Sequence, residues 1–265
     1  MKLSFIGEND LTGVANDSRL AAENGFAGIE YNFWGDFPKV TIETIGSMAA
    51  VHKDHGVKAS MLGVWGFNPL SQDAEERERC RKLLDRQIEF AQVLKAEWIV
   101  TGCGDISGEP VGVKIARFAE VFAPAFTKIQ RAGLKIAFYA VHSNSFLDSL
   151  AALERMWEAV PDLKLKYDPA NWRGHGVDYL EIARQYGHKI GYVHIKDQIY
   201  KEGHSIGEPP AGMGDIEFPK VLAYLYQAAY EGYLSIEPHG ELWSHGELRR
   251  KNILLSQRYV QSLLV

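Results

Sequence analysis

Short apolar runs alternate with amphipathic segments along nearly the whole chain. Eight runs have the length and the residue types of β-strands. These are Lys2–Gly7, Phe26–Asn32, Val57–Trp65, Trp98–Cys103, Lys135–His142, Leu163–Pro169, Ile190–Asp197 and Tyr233–His239. The segments between them carry apolar residues at three- and four-residue spacing, which predicts helices. Examples are Glu75–Leu94, Val113–Arg131, Leu147–Val160, Tyr179–Tyr186 and Phe218–Tyr230. The pattern therefore predicts an alternating α/β fold.

Glycines mark the predicted helix ends, as a glycine C-cap would. They occur in Asn24-Gly25, His55-Gly56, Ala132-Gly133, Tyr186-Gly187 and Glu231-Gly232. The alternation requires right-handed crossovers, and eight strands with eight helices predict a closed (β/α)8 TIM barrel. The alternative is a doubly wound open sheet, which normally has a glycine-rich phosphate-binding turn after its first strand. The turn here reads Gly7-Glu8-Asn9-Asp10 and does not fit.

No linker, low-complexity tract or block of charge interrupts this alternation, so we predict one domain over residues 1–265. The longest irregular segment, Gln198–Ile216, contains four glycines and two prolines. It follows the seventh predicted strand, at the end of the barrel where loops shape substrate sites.

Composition narrows the class of protein. The chain has 265 residues, of which 46% are hydrophobic, enough for one large core. A net charge of −5 gives no electrostatic footprint for nucleic acid. Two cysteines provide no disulfide framework and fit a reducing compartment. The sequence has neither a signal-peptide pattern nor a run of about 18 apolar residues. We expect a cytoplasmic protein with no nucleic-acid or membrane partner.

The residues that close the strands are informative, because barrel active sites lie at the C-terminal strand ends. Three successive strands end in Asp168, His194 and Glu237. If those strands are parallel neighbours, two carboxylates and one imidazole converge on one point. Such ligands suit one divalent ion, Mn²⁺, Mg²⁺, Co²⁺ or Zn²⁺. This triplet is the main reason to predict an enzyme.

Each member of the triplet also has a structural interpretation. His194 can be a strand-end histidine bonded to a backbone carbonyl, and Asp168 can begin a turn before Pro169. Glu237 can pair with His239, although a carboxylate in an apolar strand needs a partner of some kind. Convergence of the three favours metal ligation over these readings.

Other polar residues favour structural roles. Lys196 and Asp197 can form a surface ion pair. His52 and His55 lie near a predicted helix end, where positive charge suits the macrodipole. Cys103 has no base beside it in sequence, so a nucleophilic role is not expected.

Four segments in the second half of the chain resemble one protein family. They read YDPAN at Tyr167–Asn171, VHIKD at Val193–Asp197, GMGDIEF at Gly212–Phe218 and GYLSIEPH at Gly232–His239. In order and spacing the chain resembles the xylose isomerase-like TIM barrels of the sugar phosphate isomerase/epimerase superfamily. Gly25–Glu30 adds a weaker match. The resemblance implies a divalent metal, a sugar-like substrate and a role in carbohydrate metabolism, and members of the family are often homo-oligomers.

The resemblance also implies four metal ligands, Glu, Asp, His and Glu, from four strand ends. Asp168, His194 and Glu237 match the last three. The chain departs from the family at the first, where Ala140 occupies the usual ligand position. Ser145 occupies the position at which a second version of the motif has its glutamate.

This departure leaves three interpretations open. His142 supplies the fourth ligand. Alternatively, His142 or Lys196 carries the second proton beside Glu237, which in related epimerases is the work of a second carboxylate. In the third interpretation the chain has lost metal-dependent isomerisation.

A substrate-binding set completes the predicted site. Trp34, Trp65 and Trp172 each follow a strand end, and aromatic faces pack well against sugar C–H surfaces. Tryptophan also fills barrel mouths for structural reasons. Glu30 can bind substrate hydroxyls or form a hydrogen bond at the barrel end, and His239 lies beside Glu237 in sequence.

We predict a divalent-metal-dependent isomerase or epimerase that acts on a small polyhydroxylated carbonyl compound through an enediolate. Manganese is among the expected metals. Loss of a β-hydroxyl from the same intermediate would instead make the protein a dehydratase acting on a keto-sugar or inosose-like substrate. Another alternative is a non-catalytic sugar-binding barrel. DNA repair of the endonuclease IV type would require more histidine and glutamate ligands and a basic groove.

Overall fold

The computed structural model describes residues 1–265. Ten strands are formed: β1 (Lys2–Ile6), β2 (Gly28–Phe33), β3 (Ala59–Val64), β4 (Trp98–Gly102), β5 (Lys135–Tyr139), β6 (Leu165–Tyr167), β7 (Ile190–Ile195), β8 (Ile199–Lys201), β9 (His204–Gly207) and β10 (Tyr233–Ile236). Ten α-helices accompany them: α1 (Leu11–Asn24), α2 (Ile42–His55), α3 (Ala74–Leu94), α4 (Val111–Arg131), α5 (Leu150–Ala159), α6 (Pro169–Gly174), α7 (Tyr179–Tyr186), α8 (Phe218–Gln227), α9 (Gly240–Trp243) and α10 (Gly246–Gln261). Two short 3-10 helices cover Phe37–Lys39 and Gly187–Lys189.

Eight parallel strands form a closed barrel in the order β1-β10-β7-β6-β5-β4-β3-β2. The predicted (β/α)8 TIM barrel is therefore confirmed. Strands β8 and β9 lie outside it as a two-stranded antiparallel sheet. No helix combines the length and the apolar character that a membrane span requires.

The chain divides into two compact units. The C-terminal unit consists of Met1–Ile6 and Lys166–Val265, and the N-terminal unit consists of Gly7–Leu165. A single domain over residues 1–265 stays a prediction.

Helix ends follow the glycine signals in part. Gly25 and Gly56 adopt left-handed φ values of 70° and 67° and cap α1 and α2, as predicted. Gly187 caps α7 as predicted, but with a φ of −52°, because the chain continues from it into a 3-10 helix. Helix α8 already ends at Gln227, which leaves Gly232 outside it. The C-cap of α3 is Lys95, at a φ of 57°, which no glycine announced.

Segment Gln198–Ile216 is more ordered than its glycines and prolines predicted. Strands β8 and β9 form a hairpin within it, with Tyr200 paired to Ser205 and Lys201 to His204. Glu202 and Gly203 make the turn at φ values of 52° and 82°. Gly203 therefore serves a tight two-residue turn rather than an irregular loop.

An aromatic cluster fixes α4 against the sheet in the N-terminal unit. Phe118 and Phe122 stack at 4.5 Å between ring centroids, and each meets Phe138 of β5 edge-on at 5.0 Å. These rings are buried. Edge-to-face pairs add specific geometry to the apolar burial that holds the helix in place.

His52 makes stability pH-dependent in the N-terminal unit. The ring is buried, its Nε2 lies 2.6 Å from the Tyr31 hydroxyl, and burial lowers its pKa to about 4. The unfolded chain binds this proton near the ordinary histidine pKa of about 6.5, so the stabilisation is present above that pH and is lost as pH falls towards 4. We expect a loss of about 2 kcal/mol in the free energy of unfolding between pH 7 and pH 5.

Urea unfolding at several pH values measures this loss. His52→Gln should remove most of the pH dependence, whereas the control His55→Gln, at the exposed end of the same helix, should keep it. If the free energy of unfolding of His52→Gln depends on pH as steeply as that of the wild type, other groups cause the pH dependence.

Candidate metal centre

Three strand ends position Asp168, His194 and Glu237 in the C-terminal unit. Asp168 follows β6 and caps α6, and its Oδ1 accepts hydrogen bonds from the N–H groups of Ala170 and Asn171, both at 3.1 Å. His194 lies within β7. Glu237 follows β10, and its N–H donates to the carbonyl of Ile195 at 3.0 Å. The strand register and the helix cap thus fix the backbone beneath all three side chains.

The three side chains converge. One ligand atom from each lies within 4.8 Å of the others. His194 Nδ1 is 2.6 Å from Glu237 Oε2 and 3.9 Å from Asp168 Oδ2. Asp168 and His194 are buried, and Glu237 is largely buried. Two carboxylates and one imidazole in this arrangement fit one divalent ion.

Two buried lysines share the site. Lys166 and Lys196 are each 4% exposed, and the Nζ atom of each lies 3.3 Å from Asp168 Oδ2. Lys196 Nζ also lies 3.7 Å from Glu237 Oε2 and donates to Asn171 Oδ1 at 2.6 Å. Two ammonium groups therefore balance two carboxylates in a place where unpaired charge would be costly.

The interpretation of Lys196 and Asp197 as a surface ion pair is wrong. Both side chains are buried, and they have different partners. The Asp197 carboxylate accepts backbone hydrogen bonds from Gln198, Gly212, Gly214 and Ile216 at 2.9–3.0 Å. A Cβ at Gly214 would lie 2.3 Å from Asp197 Oδ1, so only glycine fits there. Asp197 thus ties the segment after β7 back to the strand end.

Electrostatics keep the site ionised. Burial by itself would raise the pKa of both carboxyl groups, but the Lys196 ammonium holds the pKa of Asp168 below its ordinary value and that of Glu237 well below it. Burial would likewise lower the pKa of Lys196, yet the Asp168 and Glu237 carboxylates raise it. The two carboxylates thus favour the charged form of Lys196, which donates a hydrogen bond to Asn171. A role for Lys196 as the second proton carrier stays a prediction.

His239 pairs mainly with Glu208. His239 Nδ1 lies 2.9 Å from Glu208 Oε1, whereas its Nε2 is 4.0 Å from Glu237 Oε1. The hydrogen bond to Glu208 raises the pKa of His239. Glu208 also accepts from Gln198 Nε2 at 3.0 Å. The alternative of a Glu237–His239 pair is thus present only as the longer contact of a bridge in which His239 lies between two glutamates.

In the N-terminal unit, Trp34, Trp65 and His142 form an aromatic cluster with Tyr139. Trp65 stacks on Tyr139 at 4.4 Å and on Trp34 at 5.8 Å. The His142 ring lies 5.3–5.4 Å from all three. His142 is half-buried, and its Nδ1 lies 3.2 Å from Ser143 Oγ. Sequence grouped the two tryptophans as substrate contacts, and the structure brings them together.

The loop after β5 has an unusual backbone. Val141 and Asn144 have φ values of 48° and 56°. A β-branched residue in the left-handed region is a true outlier, and such strain of about 1–3 kcal/mol concentrates at functional sites. Ser145 Oγ donates to the Tyr139 carbonyl at 3.0 Å and lies 3.2 Å from Cys103 Sγ. The Cys103 thiol is buried, which raises its pKa to about 11 and agrees with the expectation that it is no nucleophile.

Glu30 and Trp172 lie deeper than the other predicted substrate contacts. Glu30 is fully buried and accepts from Asn32 Nδ2 at 2.7 Å, while Asn32 Oδ1 accepts from Trp65 Nε1 at 2.8 Å. This relay holds the Trp65 ring in place. Trp172 is 1% exposed within α6, which favours a packing role. Substrate contact by either residue stays a prediction.

Sequence inspection missed Lys166 and Glu208. Lys166 lies in β6, two residues before Asp168, and because Asp168 still has extended backbone angles the two side chains point to the same side. A lysine inside an apolar strand was the available signal. Glu208 lies in the segment after β9, where no periodicity marked it.

Comparisons with known proteins agree with this fold. The family model described as "Xylose isomerase-like TIM barrel" matches residues 18–258. Among curated proteins, none matches the chain in sequence.

Three solved structures illustrate the similarity of fold. One is the IolI protein with a bound zinc atom, with a TM-score of 0.80 and 16% identity over 100% of this chain and 98% of that chain. D-psicose 3-epimerase in the presence of D-fructose has a TM-score of 0.75 and 15% identity over 99% and 98%. 3-Keto-D-glucoside 4-epimerase, YcjR, from E. coli has a TM-score of 0.77 and 15% identity over 99% of this chain and 99% of that chain. At these identities the likeness establishes the fold alone.

Proposed function

Because the chain belongs to the xylose isomerase-like TIM barrel family, we propose that it is a divalent-metal-dependent isomerase or epimerase acting on a sugar or a related polyhydroxylated carbonyl compound. The observation that carries the proposal is the buried convergence of Asp168, His194 and Glu237 within 4.8 Å. The similar structures of a zinc-bound IolI protein and of D-psicose 3-epimerase support the same class of chemistry.

Asp168, His194 and Glu237 would hold the metal, with His142 as the proposed fourth ligand. When bound, a divalent ion supplies Lewis acidity that polarises a carbonyl and acidifies the adjoining C–H. Mn²⁺, Mg²⁺, Co²⁺ and Zn²⁺ all accept this donor set.

Glu237 would move the proton. Its Oε2 is hydrogen-bonded to His194 and faces the Lys196 ammonium at 3.7 Å, so the carboxylate is ionised and oriented. The positive charge of Lys196 would stabilise the negative oxygen that develops when the substrate becomes an enediolate. Return of the proton to the neighbouring carbon gives isomerisation, and return to the opposite face gives epimerisation.

The loop after β5 favours a dehydratase as the second candidate. Epimerisation requires a second proton carrier on the opposite face, yet this loop offers Ala140 and Ser145 in place of carboxylates. Ser145 is already bonded to the Tyr139 carbonyl. Loss of a β-hydroxyl from the enediolate requires only an acid for the leaving group, which His142 would supply.

Metal content of the purified protein tests the ligand set. After mild dialysis we expect one divalent ion per chain in the wild type and its loss in His142→Ala, because a site reduced to three protein ligands binds less tightly. Elemental analysis measures both, and Ser143→Ala, beside His142, is the matched control. Equal metal content in wild type and His142→Ala would remove His142 from the ligand set.

Proton exchange separates an enzyme from a sugar-binding barrel. In deuterated water, ketoses and inososes incubated with the metal-loaded protein should incorporate deuterium at the carbon next to the carbonyl. Dehydration would add loss of water from the product. A protein that binds these compounds without exchange would be a binding barrel. Cytoplasmic location, homo-oligomeric assembly and the absence of nucleic-acid and membrane partners stay predictions from sequence.

A further inference from the structure

A cleft lies beside the candidate metal centre in the C-terminal unit. The β8–β9 hairpin and the segment after it form one wall, and α9 forms the other. Its volume is about 670 Å³, within the range of small-molecule sites. His239 is one of its lining residues, and the Nε2 atom of His239 lies 4.0 Å from Glu237 Oε1. The cleft thus adjoins a residue of the metal site directly.

Apolar side chains dominate the walls of this cleft. Ile206 and Leu242 are each 63% exposed, and Ile199 is 38% exposed. Trp243 completes the lining with an aromatic ring. Large side chains left in water on both sides of a cleft gain free energy when an apolar group fills the space between them.

The charges of the cleft select against anions. Its acidic lining residues are Glu208 and Glu241, and no lysine or arginine lines it. Glu208 is fixed by His239 and by Gln198. A phosphate or carboxylate placed there would face two carboxylates, and the one imidazole of the lining, His239, is already hydrogen-bonded to Glu208.

We propose that this cleft binds an uncharged apolar group, aryl or alkyl, attached to the sugar that reacts at the metal centre. The proposal rests on the proposed function and narrows its substrate class to glycosides and similar conjugates rather than sugar phosphates. The sugar end lies towards Glu237, and the apolar group lies between the hairpin and α9. His239 and Glu208 lie at the junction, where the Glu208 carboxylate can accept hydrogen bonds from hydroxyl groups and the His239 ring can donate one to them.

Fluorescence titration of the metal-loaded protein tests the proposal, because Trp243 lines the cleft. Phenyl β-D-glucoside and methyl β-D-glucoside are the probes, since they differ only in the group that would enter the cleft. We expect the phenyl compound to bind at least tenfold more tightly in the wild type. The double variant Ile206→Ser/Leu242→Ser should abolish that difference. The control Val113→Ser, at an exposed apolar residue of α4 outside the cleft, should preserve it.

A charged probe tests the selection against anions. Replacing the phenyl group by 4-carboxyphenyl should weaken binding at least tenfold in the wild type, and Glu241→Lys should recover it. Equal affinity for the phenyl and methyl glucosides in the wild type would overturn the proposal. A change of oligomeric state in Ile206→Ser/Leu242→Ser, measured by light scattering, would overturn it in favour of a contact between copies.

Failure here is distinguishable from failure of the proposed function. If the protein prefers phenyl glucoside but exchanges no proton, the proposed binding cleft stands and the proposed catalytic function fails. If the protein exchanges protons but shows no preference for the phenyl group, the catalytic function stands and the proposal for the cleft fails.

Discussion

We expect both His194→Ala and Glu237→Gln to abolish metal retention and turnover. Each change removes one of three donors that converge within 4.8 Å. His194→Ala also removes the 2.6 Å hydrogen bond that orients Glu237. Glu237→Gln keeps the shape of the side chain but removes the charge needed to bind a cation and to take up a proton. We expect at least a thousandfold fall in kcat for each variant.

Elemental analysis and proton exchange measure the two effects separately. The control is His55→Ala, which removes an imidazole from the exposed end of α2 in the N-terminal unit. It should retain both metal and activity. Full activity in His194→Ala or in Glu237→Gln would disprove the assignment of the site.

The second large effect concerns stability rather than turnover. Asp168→Asn should lower the free energy of unfolding of the metal-free protein by about 3–5 kcal/mol, because two buried ammonium groups lose the carboxylate they share. Asparagine can still cap α6 through its side-chain oxygen, so the change isolates the charge from the cap. Urea unfolding in the presence of a chelator measures the loss.

A second substitution sharpens this test. In the double variant Asp168→Asn/Lys166→Met one ammonium is removed together with the carboxylate, and part of the lost stability should return. The coupling free energy from the cycle of the two single variants and the double variant then measures the Asp168–Lys166 interaction. If Asp168→Asn is as stable as the wild type, other groups must stabilise the charges of the two buried lysines, and the expected role of Asp168 is wrong.

The barrel could be predicted from sequence because its signals are local. Each strand is an apolar run, and each intervening helix shows its own period. Chain order then places Asp168, His194 and Glu237 at the ends of β6, β7 and β10, which are neighbours in the barrel. The prediction of the triad thus required only the order of the strands.

The rest of the site depends on long-range contacts that no local pattern encodes. The pairing of Glu208 with His239 depends on how a hairpin folds back on the chain. The role of Asp197 depends on hydrogen bonds from the backbone N–H groups of Gly212, Gly214 and Ile216, which are distant from it in sequence. Lys166 offered a local signal, but its importance follows from Lys196 reaching the same oxygen.

The paired lysines bear on how the protein would acquire the proposed metal. In proteins whose metal ligands repel one another, the ion is part of the folding reaction, and chelation unfolds the chain. Here Lys166 and Lys196 neutralise the carboxylates, so the charge of the site is balanced without an ion. Folding would then not depend on metal loading. The chain would complete its fold at a low metal concentration and exchange ammonium contacts for an ion when the concentration rises, so that its activity, and not its stability, would follow the metal supply.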